Sequence, residues 1–210
     1  MINIDIAFDN GDVGLGDYFE QSKIDLVSFV HATRNDHLIN EIPGPRCNQA
    51  YIDLRVPAIN GGNFLFVCYS HGKEDSLTAN GDFYIKKDVN CELFINSFFY
   101  SMSCLTAKEL GVSLLGKGCH VFIGFKEEAG AFLGAYQSMS IACDNFAIKK
   151  FVEGYSIGES VALMKQNYTR QIDVLENDGE PMLAAELRAN RDALWFDGDR
   201  NLTIDQFAIN

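Results

Sequence analysis

The chain has 210 residues, a formal net charge of −12 and an apolar fraction of 47%. That length suits one well-buried core, so a single domain over residues 1–210 is expected. The acidic balance disfavours direct nucleic-acid binding, which needs a basic face. The first residues, Met1–Phe8, alternate apolar and polar side chains and carry no basic leader, so no secretion signal is expected. No apolar run approaches the ~20 residues of a membrane helix. Six cysteines without paired Cys-x-x-Cys spacing, most of them in apolar stretches, favour a reducing cytoplasm.

In chain order, residues 1–20 suggest a short strand and a glycine-rich turn at Asn10–Gly16. Ile24–His31, β-branched and aromatic, predicts a strand. Residues 32–47 read as a helix or irregular crossover ending at Pro43–Pro45, and Pro57 prevents a long helix through 48–60. Asn60–Gly62 is a turn launching a buried strand, Asn63–Ser70. A polar loop follows from Lys73 to Ala79, and Asn80-Gly81 then turns the chain into a short strand at Asp82–Ile85, a hairpin pattern.

Asp88 reads as the N-cap of a helix over 89–96, and Phe98–Met102 as a second buried strand. Leu105–Leu115 predicts a helix with a glycine stop, then Cys119–Phe125 a strand. A long helix is expected over 131–151 from an approximate 3.6-residue period. Ser156 and Glu159 form a capping-box pattern for a helix over 157–176. Pro181 opens another through Trp195, and Leu202–Phe207 predicts a final strand. Alternating strands and helices predict a three-layer α/β/α sandwich with a mostly parallel sheet.

His71-Gly72 and Ser103-Cys104 each follow directly on a buried strand. In an open α/β sheet, chemistry gathers at the carboxyl ends of neighbouring strands. A thiol beside an imidazole is a nucleophile with its base. Cys104 at a strand-to-helix junction would face free helical N–H groups, which favours the thiolate. The Gly72 and Cys104 N–H groups would then form an oxyanion hole. Taken singly, His71 and Cys104 are more often an ordinary hydrogen-bonded residue and core packing. The order strand–His-Gly, hairpin, helix, strand–Ser-Cys, helix, strand raises the weight of the catalytic reading.

That order resembles the caspase-like cysteine peptidases, the group of caspases, gingipains, separases and legumains. It is most similar to the bacterial CHAT branch. The resemblance covers about residues 60–205 and rests on Phe64–Gly72, the Leu77–Val89 hairpin, Met102–Cys104, Gly118–Gly124, Phe151–Ala162 and Asp197–Thr203. The sequence departs from it at Ala107, where glycine is frequent, and in lacking a Trp after Phe125. The resemblance implies a caspase-like peptidase with His71 and Cys104 as its dyad and Gly72 and the Cys104 backbone as its oxyanion hole. It implies a protein or peptide substrate, no cofactor, and control by a regulatory partner, an oligomer or cleavage, with residues 73–82 and 177–181 the most exposed.

For the pocket receiving the P1 side chain, Asp25, Glu127 and Glu128 would suit a basic group and Arg34 an acidic one. Charge complementarity leans to basic, although all four also read as solvated surface charges. Neither Cys68 with His71 nor Cys119 with His120 has structural zinc spacing, and Gly11, Gly14 and Gly16 make no phosphate loop. Two rival readings are a catalytically silent interaction module of the same fold and a thiol hydrolase acting on a non-peptide acyl group.

Overall fold

The computed structural model describes residues 1–208 except Asn60. Its elements in chain order are β1 (Ile2–Phe8), α1 (Gly16–Thr33), β2 (His37–Pro43), α2 (Gln49–Ile59) and β3 (Phe64–Tyr69). Then come β4 (His71–Gly72), β5 (Ser76–Ala79), β6 (Asp82–Lys86), β7 (Ser97–Ser101), α3 (Leu110–Gly116) and β8 (Val121–Phe125). The chain continues through α4 (Gln137–Asp144), α5 (Phe146–Val152), α6 (Ile157–Asn177), α7 (Pro181–Ala193) and β9 (Leu194–Gly198).

Six strands form the main sheet in the order β2-β1-β3-β7-β8-β9, and β4, β5 and β6 form a small second one. All neighbours in the main sheet are parallel except β8 and β9. Period-two alternation divides the side chains between two buried faces. Leu65, Val67 and Tyr69 of β3 join Phe98 and Tyr100 of β7 beneath α1 and α4–α7. Phe64, Phe66 and Cys68 face the other way, with Phe99 and Phe122, toward α2, α3 and the hairpin. The architecture is therefore the expected α/β/α sandwich. Burial on both faces explains why the central strands read as continuous apolar runs.

The chain steps from β1 outward to β2, then crosses back over β1 to β3. That reversal creates a crevice between the carboxyl ends of β1 and β3, where ligands gather in open α/β sheets. Asp9 leaves β1 there and His71 leaves β3. Cys104 leaves the next strand, β7.

Several local expectations are corrected. Ile24–His31 is helical, within α1: Tyr18, Phe19, Ser22, Leu26 and Val30 are its buried face, and tertiary burial outweighs β propensity. The crossover over 32–47 contains β2. Residues 49–59 form α2, ending two residues past Pro57, while Asn60 of the expected turn lies outside the described residues. Ser76–Ala79, read as loop, is the hairpin strand β5; Asn80 and Gly81 both take positive φ, as a tight hairpin turn requires. Asp88 has φ 60° and caps no helix; a short 3₁₀ turn, Cys91–Phe94, begins after Asn90. Leu202–Phe207 is no strand: Ile204–Phe207 is a 3₁₀ turn, and the last strand is β9.

The single helix expected over 131–151 is a 3₁₀ turn followed by α4 and α5, separated at Asn145. Asn145 is buried, donates to the Ser22 carbonyl and Asp25, and accepts from the Tyr69 hydroxyl. The α6 helix carries the expected capping box, with Ser156 and Glu159 each bonded to the other's backbone N–H.

Candidate active site

Residues 9–15 form the loop between β1 and α1. The Asp9 N–H donates to the Tyr69 carbonyl at 3.0 Å, continuing the β1–β3 pairing one residue past the strands. Asp12 folds the loop through one oxygen: Oδ1 accepts the N–H groups of Gly14 and Leu15 at 2.9 and 2.6 Å. Its other oxygen, Oδ2, lies 3.1 Å from His71 Nε2. These contacts, the Leu15 N–H foremost, hold the Asp12 carboxyl below its usual range. Asp12 is therefore an ionised partner that orients the imidazole. The ring's other restraint is Phe19, edge-on at 5.7 Å between centroids.

Gly72 follows in β4. A Cβ there would come within 2.9 Å of Ser103 Cβ and collide with the Cys104 carbonyl oxygen. Glycine thus lets the strand from His71 pass directly over the Ser103–Cys104 backbone. That contact brings the two candidate segments together.

Cys104 does not begin a helix. Residues 104–109 are turns and α3 starts at Leu110, so helical N–H groups do not surround the sulfur as expected. Leu105 has φ 64°, a left-handed conformation that is costly for a branched side chain and turns the chain sharply after Cys104. The turn is fixed to the segment after β8: the Leu105 N–H donates to the Glu127 carbonyl and that of Ala107 to the Phe125 carbonyl. The sulfur lies 3.5 Å from the Ala129 carbonyl oxygen and accepts the Ala129 N–H at 3.3 Å.

His71 and Cys104 line one narrow cleft of about 40 Å³. Phe19, Phe125 and Ala129–Ala131 also line it, as does the buried Asp144. Burial raises the Asp144 carboxyl to about 6, against hydrogen bonds from the Tyr168 and Tyr18 hydroxyls, both at 2.7 Å. On the far side of His71 lies a wider recess of about 320 Å³, bounded by Asp9, Asp12, Thr78 and Asn80. Asp9 is 2% exposed, its Oδ1 has no hydrogen-bond partner among the described residues, and burial pushes its carboxyl upward. Among the described residues, no lysine or arginine lines either space.

Of the residues expected to select P1, Asp25 and Arg34 fall elsewhere. Asp25 lies midway along α1, bonded by Lys149 and Asn145, and lines neither space. Arg34 caps the far end of α1 and pairs with Asp36. Glu127 and Glu128 follow β8 at the correct edge but are exposed, with Glu127 3.6 Å from Lys108. The carboxylates beside the dyad are instead Asp9, Asp12 and Asp144. Asp9 too follows a strand at the carboxyl edge, but β1 alternates apolar and polar residues, so the unbroken apolar run that singled out His71 and Cys104 is absent before it.

Five of the six cysteines are buried, and Cys104 alone is partly exposed. Cys68 on the neighbouring strand is pushed up to about 12 by burial, which disqualifies it as a nucleophile. Among the described residues, no helix is long and apolar enough to cross a membrane. No family model matches the sequence, and no curated protein matches it.

Proposed function

We propose that the chain is a caspase-like cysteine endopeptidase acting on a protein substrate with a basic P1 side chain. The observation that carries the reading is the shared cleft: His71 and Cys104 leave adjacent parallel strands, β3 and β7, at the same edge and line one cavity. In this mechanism His71 takes the proton of Cys104, and the thiolate attacks the scissile carbonyl carbon. The tetrahedral oxyanion is received by the Gly72 and Cys104 N–H groups. Collapse breaks the C–N bond as the His71 imidazolium protonates the leaving amine, leaving a thioester on Cys104. Water, deprotonated by His71, then attacks the thioester and releases the acid and the thiol.

Charge supports the basic preference. Carboxylates lie in both spaces flanking the dyad, and Asp9 Oδ1, without a hydrogen-bond partner among the described residues, is available to accept from a cationic side chain. Six unpaired cysteines fit a reducing compartment such as the cytoplasm.

A panel of acyloxymethyl ketone probes with Lys, Arg or Asp at P1 tests this. The expected result is covalent labelling by the Lys and Arg members that disappears in Cys104→Ala. Absence of labelling by every member, on folded protein whose Cys104 still reacts with iodoacetamide, removes the peptidase reading and leaves the silent module. Preferential labelling by the Asp probe removes the basic preference alone.

A further inference from the structure

We propose that residues 126–131 form an autoinhibitory strap, held down on Cys104 by Asn190. The inference concerns the same cleft and takes its significance from the peptidase reading, but its geometry stands independently. Beyond β8 the chain carries no regular secondary structure from Glu128 to Leu133. Ala129 meets the sulfur with both backbone groups: its N–H donates to Sγ and its carbonyl lies within reach of the thiol. The next residue is clamped. Gly130 N–H donates to Asn190 Oδ1 at 2.9 Å, and Asn190 Nδ2 donates back to the Gly130 carbonyl at 2.7 Å. Asn190 is 1% exposed on α7, so this amide is a buried two-point latch. Lys126 N–H is tied to the Ala193 carbonyl, one turn further along the same helix.

The consequence is an uncoupled dyad. The His71 ring is bonded to Asp12, while the sulfur is engaged by Ala129. The remaining cleft beside the sulfur is narrow, about 40 Å³ against about 320 Å³ for the recess on the far side of His71. Lifting Ala129 frees the sulfur and widens the cleft, so the strap is a two-state element that a partner or substrate can bias. The latch is on α7, more than 80 residues from the nucleophile in sequence, which gives a protein bound to that helix a route to the active site.

The test reads thiol access and needs no peptide cleavage, so it separates failure of the strap from failure of the peptidase reading. Site-resolved mass spectrometry follows iodoacetamide alkylation of Cys104 in the native protein, in Asn190→Ala and in the urea-unfolded chain. Losing both latch bonds should speed native Cys104 alkylation roughly 10- to 100-fold while the melt stays cooperative. Native Cys104 reacting as fast as in the unfolded chain, or an unchanged rate in folded Asn190→Ala, overturns the proposal. If Asn190→Ala does not fold, amide exchange in Cys104→Ala decides: without the sulfur, the Ala129 N–H should exchange faster. Unchanged exchange there equally overturns it.

Discussion

The two edges of the main sheet treat charge in opposite ways. At the amino edge, Arg34 binds Asp36 through two 2.8 Å hydrogen bonds and lies 3.7 Å from Asp205. The Asp36 carbonyl accepts the Ile2 N–H, tying the start of β1 to the chain entering β2. Arg34 is raised and Asp36 lowered, each chiefly by the other. At the carboxyl edge, Asp9 Oδ1 and Ser103 Oγ are buried without a partner among the described residues, and Leu105 holds a strained conformation. The first edge uses its charges to close a seam, although His37 Nδ1 at the start of β2 is also buried without a partner among the described residues. The second leaves polar capacity unmet beside a thiol and an imidazole, where a substrate would meet it.

Three substitutions break or sharpen that contrast. His71→Ala should lower turnover of a Lys- or Arg-P1 peptide by ~10²–10⁴-fold with an unchanged melting temperature. A loss below about tenfold would take His71 out of the mechanism. Asp12→Asn keeps an oxygen for the Gly14 and Leu15 N–H groups but replaces the anion facing His71 with an amide. Turnover should fall roughly 10- to 100-fold, mostly in kcat, because the imidazolium formed during reaction loses its counter-charge. An effect confined to KM would make Asp12 a substrate contact instead.

Arg34→Ala is the counterpart at the amino edge. Its pair is largely at the surface, so the expected cost is about 1 kcal/mol or less, a shift of roughly 2–4 °C in melting temperature, with peptide turnover unchanged. A change of turnover beyond about twofold would show that the two edges are not separable.

What the sequence disclosed was local. Unbroken apolar runs marked β3, β7 and β8, so the strand-end positions of His71 and Cys104 were visible. Asn80-Gly81 and the Ser156–Glu159 box announced their turn and cap within a few residues. The misreadings came from long-range packing. Ile24–His31 has strand-like composition, but its environment is a helical face against β1 and β3, set by residues elsewhere in the chain. The break at Asn145 depends on Ser22, Asp25 and Tyr69, between 76 and 123 positions away. Asp25 and Arg34 were placed near the site only by reading that helix as a strand. The Ala129–Asn190 latch left no local signature, since an alanine, a glycine and a helical asparagine are individually unremarkable.

The burial of the other cysteines has a redox consequence. Cys47 and Cys68 are pushed up to about 12 and Cys119 to about 11, and Cys91 and Cys143 are also raised. A thiol raised that far stays almost wholly protonated near neutral pH, and peroxides and disulfides react with the ionised form. Among the thiols, oxidant therefore reaches the partly exposed Cys104 first, and under the proposed strap only when Ala129 lifts from the sulfur. Damage or reversible capping there would leave the five buried thiols of the folded core unmodified.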